Sequence, residues 1–194
     1  MTPPALSFAE KYTYADYLQW PDEERWELIE GIPYNMTPAP TRKHQRIIAR
    51  LTYFIEGFLL EKPCELAVSP FDVQLPKANQ SVDESDTIVQ PDLAVFCDTS
   101  TLTEKGAVGA PDWVIEILSP STANKDMTVK SILYQAHGVK EYWIVDPQED
   151  KVQVFLLDTE RNQFGIPQRY DVEATLSPAL FPDLKIALEK VFEG

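Results

Sequence analysis

One short run, Trp113-Val-Ile-Glu-Ile-Leu118, constrains the fold of this 194-residue chain more than any other segment. Its β-branched and aromatic residues predict a strand buried on both faces, and such strands are normally apolar throughout. Glu116 interrupts that pattern, although burying an unpaired carboxylate is costly. Asp92 does the same between Val89 and the apolar run 93–96. The chain must therefore fold so that each of these two acids finds a partner or a ligand.

Hydrophobic periodicity predicts a helix over 42–60 and a second helix over Lys125–His137. The predicted strands are rich in β-branched and aromatic residues: 65–75, 88–96, 112–118, Glu141–Asp146 and Lys151–Leu157. We expect the first three to belong to a single sheet. The order α, β, β, β, α, β, β predicts an α/β (α+β) fold with a mixed central sheet flanked by helices. Because no repeat or low-complexity linker divides the chain, we expect residues 1–194 to form one domain.

The charge balance limits the functions that are open to the chain. It has 17 basic and 31 acidic residues, a formal net charge of −14, and this excludes a general DNA-coating protein. The helix predicted over 42–60 nevertheless carries a basic face opposite its apolar side, formed by Arg42, Lys43, Arg46 and Arg50. These four residues are the candidates for nucleic-acid contact.

Neither the N-terminal residues nor the cysteines suggest secretion. Residues 1–5 have no basic and apolar leader pattern, and no run approaches the ~18 apolar residues of a membrane span. We therefore expect a cytoplasmic protein that does not bind a membrane. Cys64 and Cys97 have no CxxC spacing, so two buried thiols are expected rather than a zinc site.

The two misplaced acids predict a metal site. If their strands are neighbours, facing Cβ atoms lie ~4.5–5.5 Å apart, so Asp92 and Glu116 could reach one divalent cation. A helix cap, an edge position or a salt bridge with a nearby Lys or Arg is the structural alternative for each acid.

Lys130 is the candidate cationic group on the second predicted helix. It shares one helical sector with Asp126, Tyr134 and His137, beside the apolar stripe. Near two carboxylates and a metal, Lys130 could stabilise developing negative charge or orient a water. A solvated lysine with a snorkelling stem is the alternative.

Two further residues are weaker candidates. His44 lies on the apolar side of the first helix, so it is a catalytic candidate or a core histidine. Glu27 lies in the apolar stretch 26–31 and could supply a third carboxylate, although an exposed hairpin would show the same pattern.

Several of these residues fall into motifs that occur together: Trp26–Gly31, His44-Gln45, Pro91-Asp92, Glu116–Ser121, Lys130, Tyr134 and Gly138–Pro147. The set resembles a large bacterial family of restriction endonuclease-like proteins in the PD-(D/E)XK nuclease superfamily. The resemblance covers roughly Tyr12 to Leu184. It implies an αβββαβ nuclease-like core.

The resemblance also implies roles for individual residues. Asp92 and Glu116 would hold Mg²⁺, or Mn²⁺ in its place, with the backbone carbonyl of Ile117. Glu27 matches the early acid of the pattern, and His44 remains a further catalytic candidate.

The catalytic lysine departs from the pattern of the wider superfamily. There it stands two residues after the second acid, where this chain has Leu118. In the resembling family the lysine lies on the following helix, and the matching residue is Lys130. Lys125 is the second choice.

The function implied is Mg²⁺-dependent hydrolysis of DNA phosphodiesters by a metal-activated water. A homodimer would suit an enzyme that cuts both strands. The alternative is a non-catalytic, oligomeric interaction module on the same fold, which the net charge favours. Paired carboxylates also occur in glycosidases, but that chemistry needs an aromatic sugar cleft and no lysine.

Overall fold

The computed structural model describes residues 10–21, 24–36, 39–120 and 122–193. The N-terminal segment 1–5 and Ser121 of the sequence motif lie outside these ranges. The described residues form two compact units: those within 1–39, 70–90 and 101–109 form the first, and those within 40–69, 91–100 and 110–194 form the second. A single functional domain over 1–194 stays a prediction.

The described residues form these strands: β1 (Trp26–Ile29), β2 (Ile32–Asn35), β3 (Glu65–Val68), β4 (Asp72–Gln74), β5 (Ile88–Val89), β6 (Leu93–Phe96), β7 (Gly106–Val108), β8 (Trp113–Ile117), β9 (Glu141–Asp146), β10 (Lys151–Asp158), β11 (Gln163–Phe164), β12 (Gln168–Tyr170), β13 (Thr175–Leu176) and β14 (Ile186–Ala187). The helices are α1 (Tyr14–Tyr17), α2 (Arg42–Leu59), α3 (Ser131–Ala136) and α4 (Leu188–Phe192), with a 3₁₀ turn at Thr99–Thr101 and a π-helical segment at Lys125–Lys130.

The first unit contains a five-stranded sheet in the order β2-β1-β5-β4-β7. A tight turn joins β1 to β2, and its residues Glu30 and Gly31 have φ of 50° and 81°. Positive φ at both positions is typical of hairpin turns that match the twist of the strands. A small core of Trp20, Leu28 and Ile88 packs beside this sheet.

The second unit contains the larger sheet, in the order β11-β10-β9-β8-β6-β3, with β12 paired to β10. Strands β8 and β9 are parallel, while β6 runs antiparallel to both β8 and β3. Helix α2 buries one face against the core of this unit, as its periodicity predicts, through His44, Ile47, Leu51, Ile55 and Leu59. Among the described residues, no helix has the length and apolarity needed to cross a membrane.

The prediction of one sheet for the first three strands is correct for β3, β6 and β8, which share the larger sheet, and wrong for the rest of the first two segments. Segment 65–75 divides into β3 and β4, and segment 88–96 divides into β5 and β6, with each half in a different sheet. Both divisions fall at a proline, Pro70 or Pro91. Proline lacks the N–H that a ladder needs and restricts the preceding residue, so it ends the pairing at that point. The overall prediction of mixed sheets flanked by helices is confirmed.

The cysteines also differ from expectation, because Cys64 and Cys97 form a disulfide rather than two thiols. The β3–β6 register pairs Glu65 with Phe96, so the cysteines are the next opposed positions along the two strands. Their Cα atoms lie 4.0 Å apart. The two cysteines are brought together by the register of the strands, which cannot be read from their spacing in the sequence.

Candidate active site

The pairing of β6 with β8 positions the two misplaced acids. Leu93 of β6 faces Ile115 of β8 in an antiparallel register. Asp92, one residue before β6, is therefore the next position opposite Glu116. The strands that carry the acids are neighbours, as the sequence argument required.

Glu116 is buried and has two donors from the segment that follows β8. Lys130 Nζ lies 2.8 Å from Glu116 Oε1, and the Tyr134 hydroxyl donates to the same oxygen at 2.7 Å. Glu116 is 3% exposed and Lys130 is 2% exposed. Since water is nearly excluded from this pair, Lys130 is a buried cation and not the solvated lysine of the alternative interpretation.

The lysine is presented by an unusual piece of helix. The sequence pattern predicts one α-helix, but residues Lys125–Lys130 are π-helical and only Ser131–Ala136 are α-helical. Asp126 is also buried, and its Oδ1 lies 3.7 Å from Lys130 Nζ. The Tyr142 hydroxyl donates to the Asp126 carbonyl at 2.9 Å and so anchors this turn. π-Helical turns are rare and occur frequently at functional sites.

Asp92 is held from two sides. The Ile117 backbone N–H donates to Asp92 Oδ2 at 2.8 Å, and His44 Nε2 lies 3.2 Å from the same oxygen. His44 stands in the first turn of α2, where Thr41 caps the helix by accepting from the His44 N–H. The ring therefore points inward, as predicted, and contacts an acid of the site.

The pKa of His44 reflects two opposing influences. Burial alone lowers the pKa, but the hydrogen bond to Asp92 and the Asp92 charge, with smaller contributions from the Ile117 backbone and Asp126, outweigh burial and raise the pKa. His44 thus belongs electrostatically to the same cluster as Asp92 and Asp126.

The donor chemistry of the cluster fits a hard divalent cation. The cluster contains the three carboxylates of Asp92, Glu116 and Asp126 and one ammonium, so its formal charge is negative even when His44 is protonated. Within the described ranges, no three or more His, Cys, Asp or Glu side chains are grouped so that they could hold a metal ion. Mg²⁺ does not need such a cage, because one or two carboxylates with waters and substrate phosphates suffice.

Glu27 and Lys125 are the remaining predicted site residues. Glu27 belongs to the first unit, on β1; it is fully buried and accepts a hydrogen bond from the Gln90 backbone N–H at 2.9 Å. Lys125 begins the π-helical segment and is half-buried. Their predicted roles stay predictions.

The basic face of α2 borders a cleft of about 540 Å³ in the second unit. Lys43 donates to Asp150 Oδ1 at 2.7 Å and to the Pro147 carbonyl. Arg46 and Arg50 donate to the Glu193 carbonyl near the end of α4. Part of the positive charge therefore fastens α4 and the β9–β10 turn to α2. The residues that line the cleft are Arg42, Lys43, Arg46, Ile47, Asp150, Val191, Phe192 and Glu193.

Asp126 and Tyr134 share the helical sector of Lys130 in the sequence, but the sequence predicts no function for either residue. Their signal was spacing: each stands four residues from Lys130, and on a helix that distance puts side chains on one face. Both contact the Glu116–Lys130 pair.

Comparison with known proteins relates the chain to a family model, to a sequence relative and to a solved structure. A family model described as "Uma2: Putative restriction endonuclease" matches residues 14–189. The "Uncharacterized protein slr1290" of Synechocystis sp. is 27% identical over 149 residues, covering 75% of this chain and 74% of that protein. A crystal structure of "a putative nuclease belonging to DUF820" from Anabaena variabilis shares the fold, with a TM-score of 0.74 and 24% identity over 93% of this chain and 97% of that one.

Proposed function

Since the chain belongs to the Uma2 family of restriction endonuclease-like proteins, we propose that it is a Mg²⁺-dependent endonuclease that hydrolyses phosphodiester bonds of DNA. One observation carries this proposal: a buried lysine contacts a buried glutamate on the strand next to the one that Asp92 precedes. Burying such a charged group is costly, and perturbed, desolvated charges of this kind cluster at functional sites.

The proposal assigns a task to each residue. Asp92 and Glu116, with the Ile117 carbonyl, would hold Mg²⁺. When bound, the ion would polarise the scissile phosphate and lower the pKa of a water. Lys130 supplies a positive charge that stabilises the extra negative charge of the attacked phosphate and orients the water. His44 positions Asp92 through the 3.2 Å contact with its Oδ2.

The approach of DNA is the main difficulty for a protein with a net charge of −14. We propose that the cleft beside α2 binds phosphates of the DNA backbone. Arg42 is exposed at its rim, and Lys43 and Arg46 also line the cleft. Lysine and arginine contacts to phosphate release counterions, so the affinity for DNA should fall as the salt concentration rises.

We further propose that the enzyme acts in the cytoplasm as a homodimer, although disulfides such as Cys64–Cys97 are rare in that compartment. Two copies would bring two sites to the two strands of DNA, and the exposed side chains of Ile132 and Ile166 in the second unit provide apolar surface for association. Sedimentation velocity at several protein concentrations tests this state.

The decisive experiment combines isothermal titration of Mg²⁺ and Mn²⁺ with plasmid nicking. The proteins compared are the wild type, Asp92→Ala, Glu116→Ala and an exposed control, Asp83→Ala. We expect metal binding and nicking in the wild type and the control, and loss of both in the two site variants. A folded wild type that binds neither metal would refute the proposal. Glu27→Gln, in the same assays, tests the role that the family pattern gives to Glu27.

The interaction module remains the second candidate because of one specific observation. Both acids already have partners from the chain itself: Lys130 and Tyr134 for Glu116, and His44 and the Ile117 N–H for Asp92. Ion pairs of a purely structural kind would look the same. Wild-type protein that self-associates but binds no metal would favour the module.

A further inference from the structure

Lys130 lies between two buried carboxylates. Its Nζ is 2.8 Å from Glu116 Oε1 and 3.7 Å from Asp126 Oδ1, and all three side chains are at most 4% exposed. The first distance is a charge-assisted hydrogen bond, and the second is an ion pair that is slightly too long for one. The lysine therefore has one engaged partner and a second acid close by.

The position of Lys130 has a consequence for metal binding, on the premise of the proposed function. An ammonium group and a divalent cation both need the negative charge of Glu116. At short range in a poorly hydrated site, the two cations repel each other strongly. Moreover, the Tyr134 hydroxyl occupies the same oxygen as Lys130, so Oε1 already has two donors. A cation bound to Glu116 would drive the ammonium away from this carboxylate.

A buried lysine cannot leave its partner without a replacement, because an uncompensated buried charge is severely destabilising. Asp126 is that replacement within reach. Its backbone is fixed by the hydrogen bond from Tyr142 to its carbonyl, and it stands four residues before Lys130 in the π-helical segment. Because Nζ is 3.7 Å from Asp126 Oδ1, a side-chain movement of less than about 1 Å would bring the two atoms to hydrogen-bond distance.

We propose that Asp126 is a positioning residue that takes over Lys130 from Glu116 when a divalent cation binds. Lys130 then remains paired and charged, beside the cation instead of in its place. Lys130 thus competes with the cation for Glu116, and Asp126 determines how much this competition lowers the affinity for the cation.

Metal affinity measured by calorimetry tests this exchange without reference to activity. Lys130→Met removes the competitor, so Mg²⁺ binding should tighten about tenfold, which corresponds to about 1.4 kcal/mol. Asp126→Asn removes the receiving acid, so binding should weaken about tenfold. Lys62→Met, an exposed lysine that follows α2, makes the same change in net charge and should stay within about twofold of the wild type.

The double variant separates positioning from simple attraction between Asp126 and the cation. If Asp126 acts through Lys130, the loss of Mg²⁺ affinity caused by Asp126→Asn should be at least about threefold smaller in the Lys130→Met background than in the wild type. Equal effects in both backgrounds would overturn the exchange, as would weaker Mg²⁺ binding by Lys130→Met.

A spectroscopic arm covers the case in which Lys130→Met does not fold. The ¹⁵Nζ resonance of Lys130, assigned by its absence in Lys130→Arg, should shift when Mg²⁺ is added to the wild type. The shift should be much smaller in Asp126→Asn at saturating Mg²⁺. An unchanged resonance in a wild type that binds Mg²⁺ would refute the exchange alone. No Mg²⁺ binding by the wild type would refute both the exchange and the proposed function.

Discussion

Two polar clusters, one in each unit, each surround a buried glutamate, Glu27 in the first and Glu116 in the second, and their hydrogen-bond partners differ. The first, named here the Gln90 cluster, consists of Tyr17, Arg25, Glu27, Asp72 and Gln90 in the first unit. The second, the Lys130 cluster, consists of Glu116, Asp126, Lys130 and Tyr134 in the second unit.

In the Gln90 cluster a neutral residue is the hub. The Gln90 backbone N–H donates to Glu27, its side-chain amide donates to Asp72 at 2.8 Å, and its amide oxygen accepts from Arg25 at 2.7 Å. In the Lys130 cluster the hub is a single charge. An amide that donates and accepts at fixed atoms favours one geometry, whereas an ammonium can exchange partners. The residue that joins the carboxylates is therefore neutral in the first unit and charged in the second.

The largest loss of unfolding free energy should come from removing Lys130, the charged residue at the centre of the Lys130 cluster. Lys130→Met leaves Glu116 and Asp126 buried without their cation, and the loss of one partner of a buried pair costs about 3–5 kcal/mol of unfolding free energy. Arg25→Met removes a half-buried, charged donor from Gln90 and should cost about 1.5–3 kcal/mol. Urea unfolding of the two variants measures both values. Similar losses would contradict the distinction between the hubs.

Tyr134→Phe should have the next largest effect. Its hydroxyl donates to the Glu116 carboxylate at 2.7 Å in a fully buried site, and hydrogen bonds to charged groups contribute about 1.5–3 kcal/mol. The ring would keep its edge contact with Tyr142, so the loss reports on the hydroxyl. Denaturant unfolding provides the measurement, and Tyr53→Phe, on an exposed ring, is the control.

The sequence alone predicts the parts of this site that depend on local pattern. Glu116 stands out because its strand is otherwise apolar, and His44 because α2 is strongly periodic. Spacing indicates that Asp126, Lys130 and Tyr134 share one helical face. The hydrogen bond from Lys130 to Glu116 and the π-helical geometry of Lys125–Lys130 depend on tertiary packing, which that pattern does not contain. The division of strands at Pro70 and Pro91 and the pairing of Cys64 with Cys97 depend on sheet register, which single-sequence periodicity does not contain.

The Gln90 cluster should also respond to pH through Asp72. Burial raises the pKa of Asp72 above its usual 3.8, although hydrogen bonds from Gln90 and Tyr17 and the Arg25 charge oppose the increase. The folded state therefore binds a proton at a higher pH than the unfolded state does. Stability conferred by the protonated form should fall as pH rises from about 3.8 through the raised pKa, and level off above it.

Asp72→Asn tests this pH dependence. Urea unfolding of the wild type and the variant between pH 3.5 and 7 should show the wild type losing stability relative to Asp72→Asn as pH rises through that window. Asp83→Asn, on an exposed turn, serves as the control. A difference between wild type and Asp72→Asn that does not change with pH would show that the Asp72 proton is unimportant for folding.

The smallest effect should come from Tyr17→Phe, the counterpart of Tyr134→Phe in the first unit. The Tyr17 hydroxyl lies 3.3 Å from both oxygens of Asp72 and 3.4 Å from the Trp26 carbonyl, so its donation is long and divided. Because Gln90 also donates to Asp72, the carboxylate keeps a short partner when the hydroxyl is removed. We expect a loss below about 1 kcal/mol in urea unfolding. A loss as large as that of Tyr134→Phe would mean that Asp72 depends on Tyr17 as Glu116 depends on its donors, and the two clusters would then be alike.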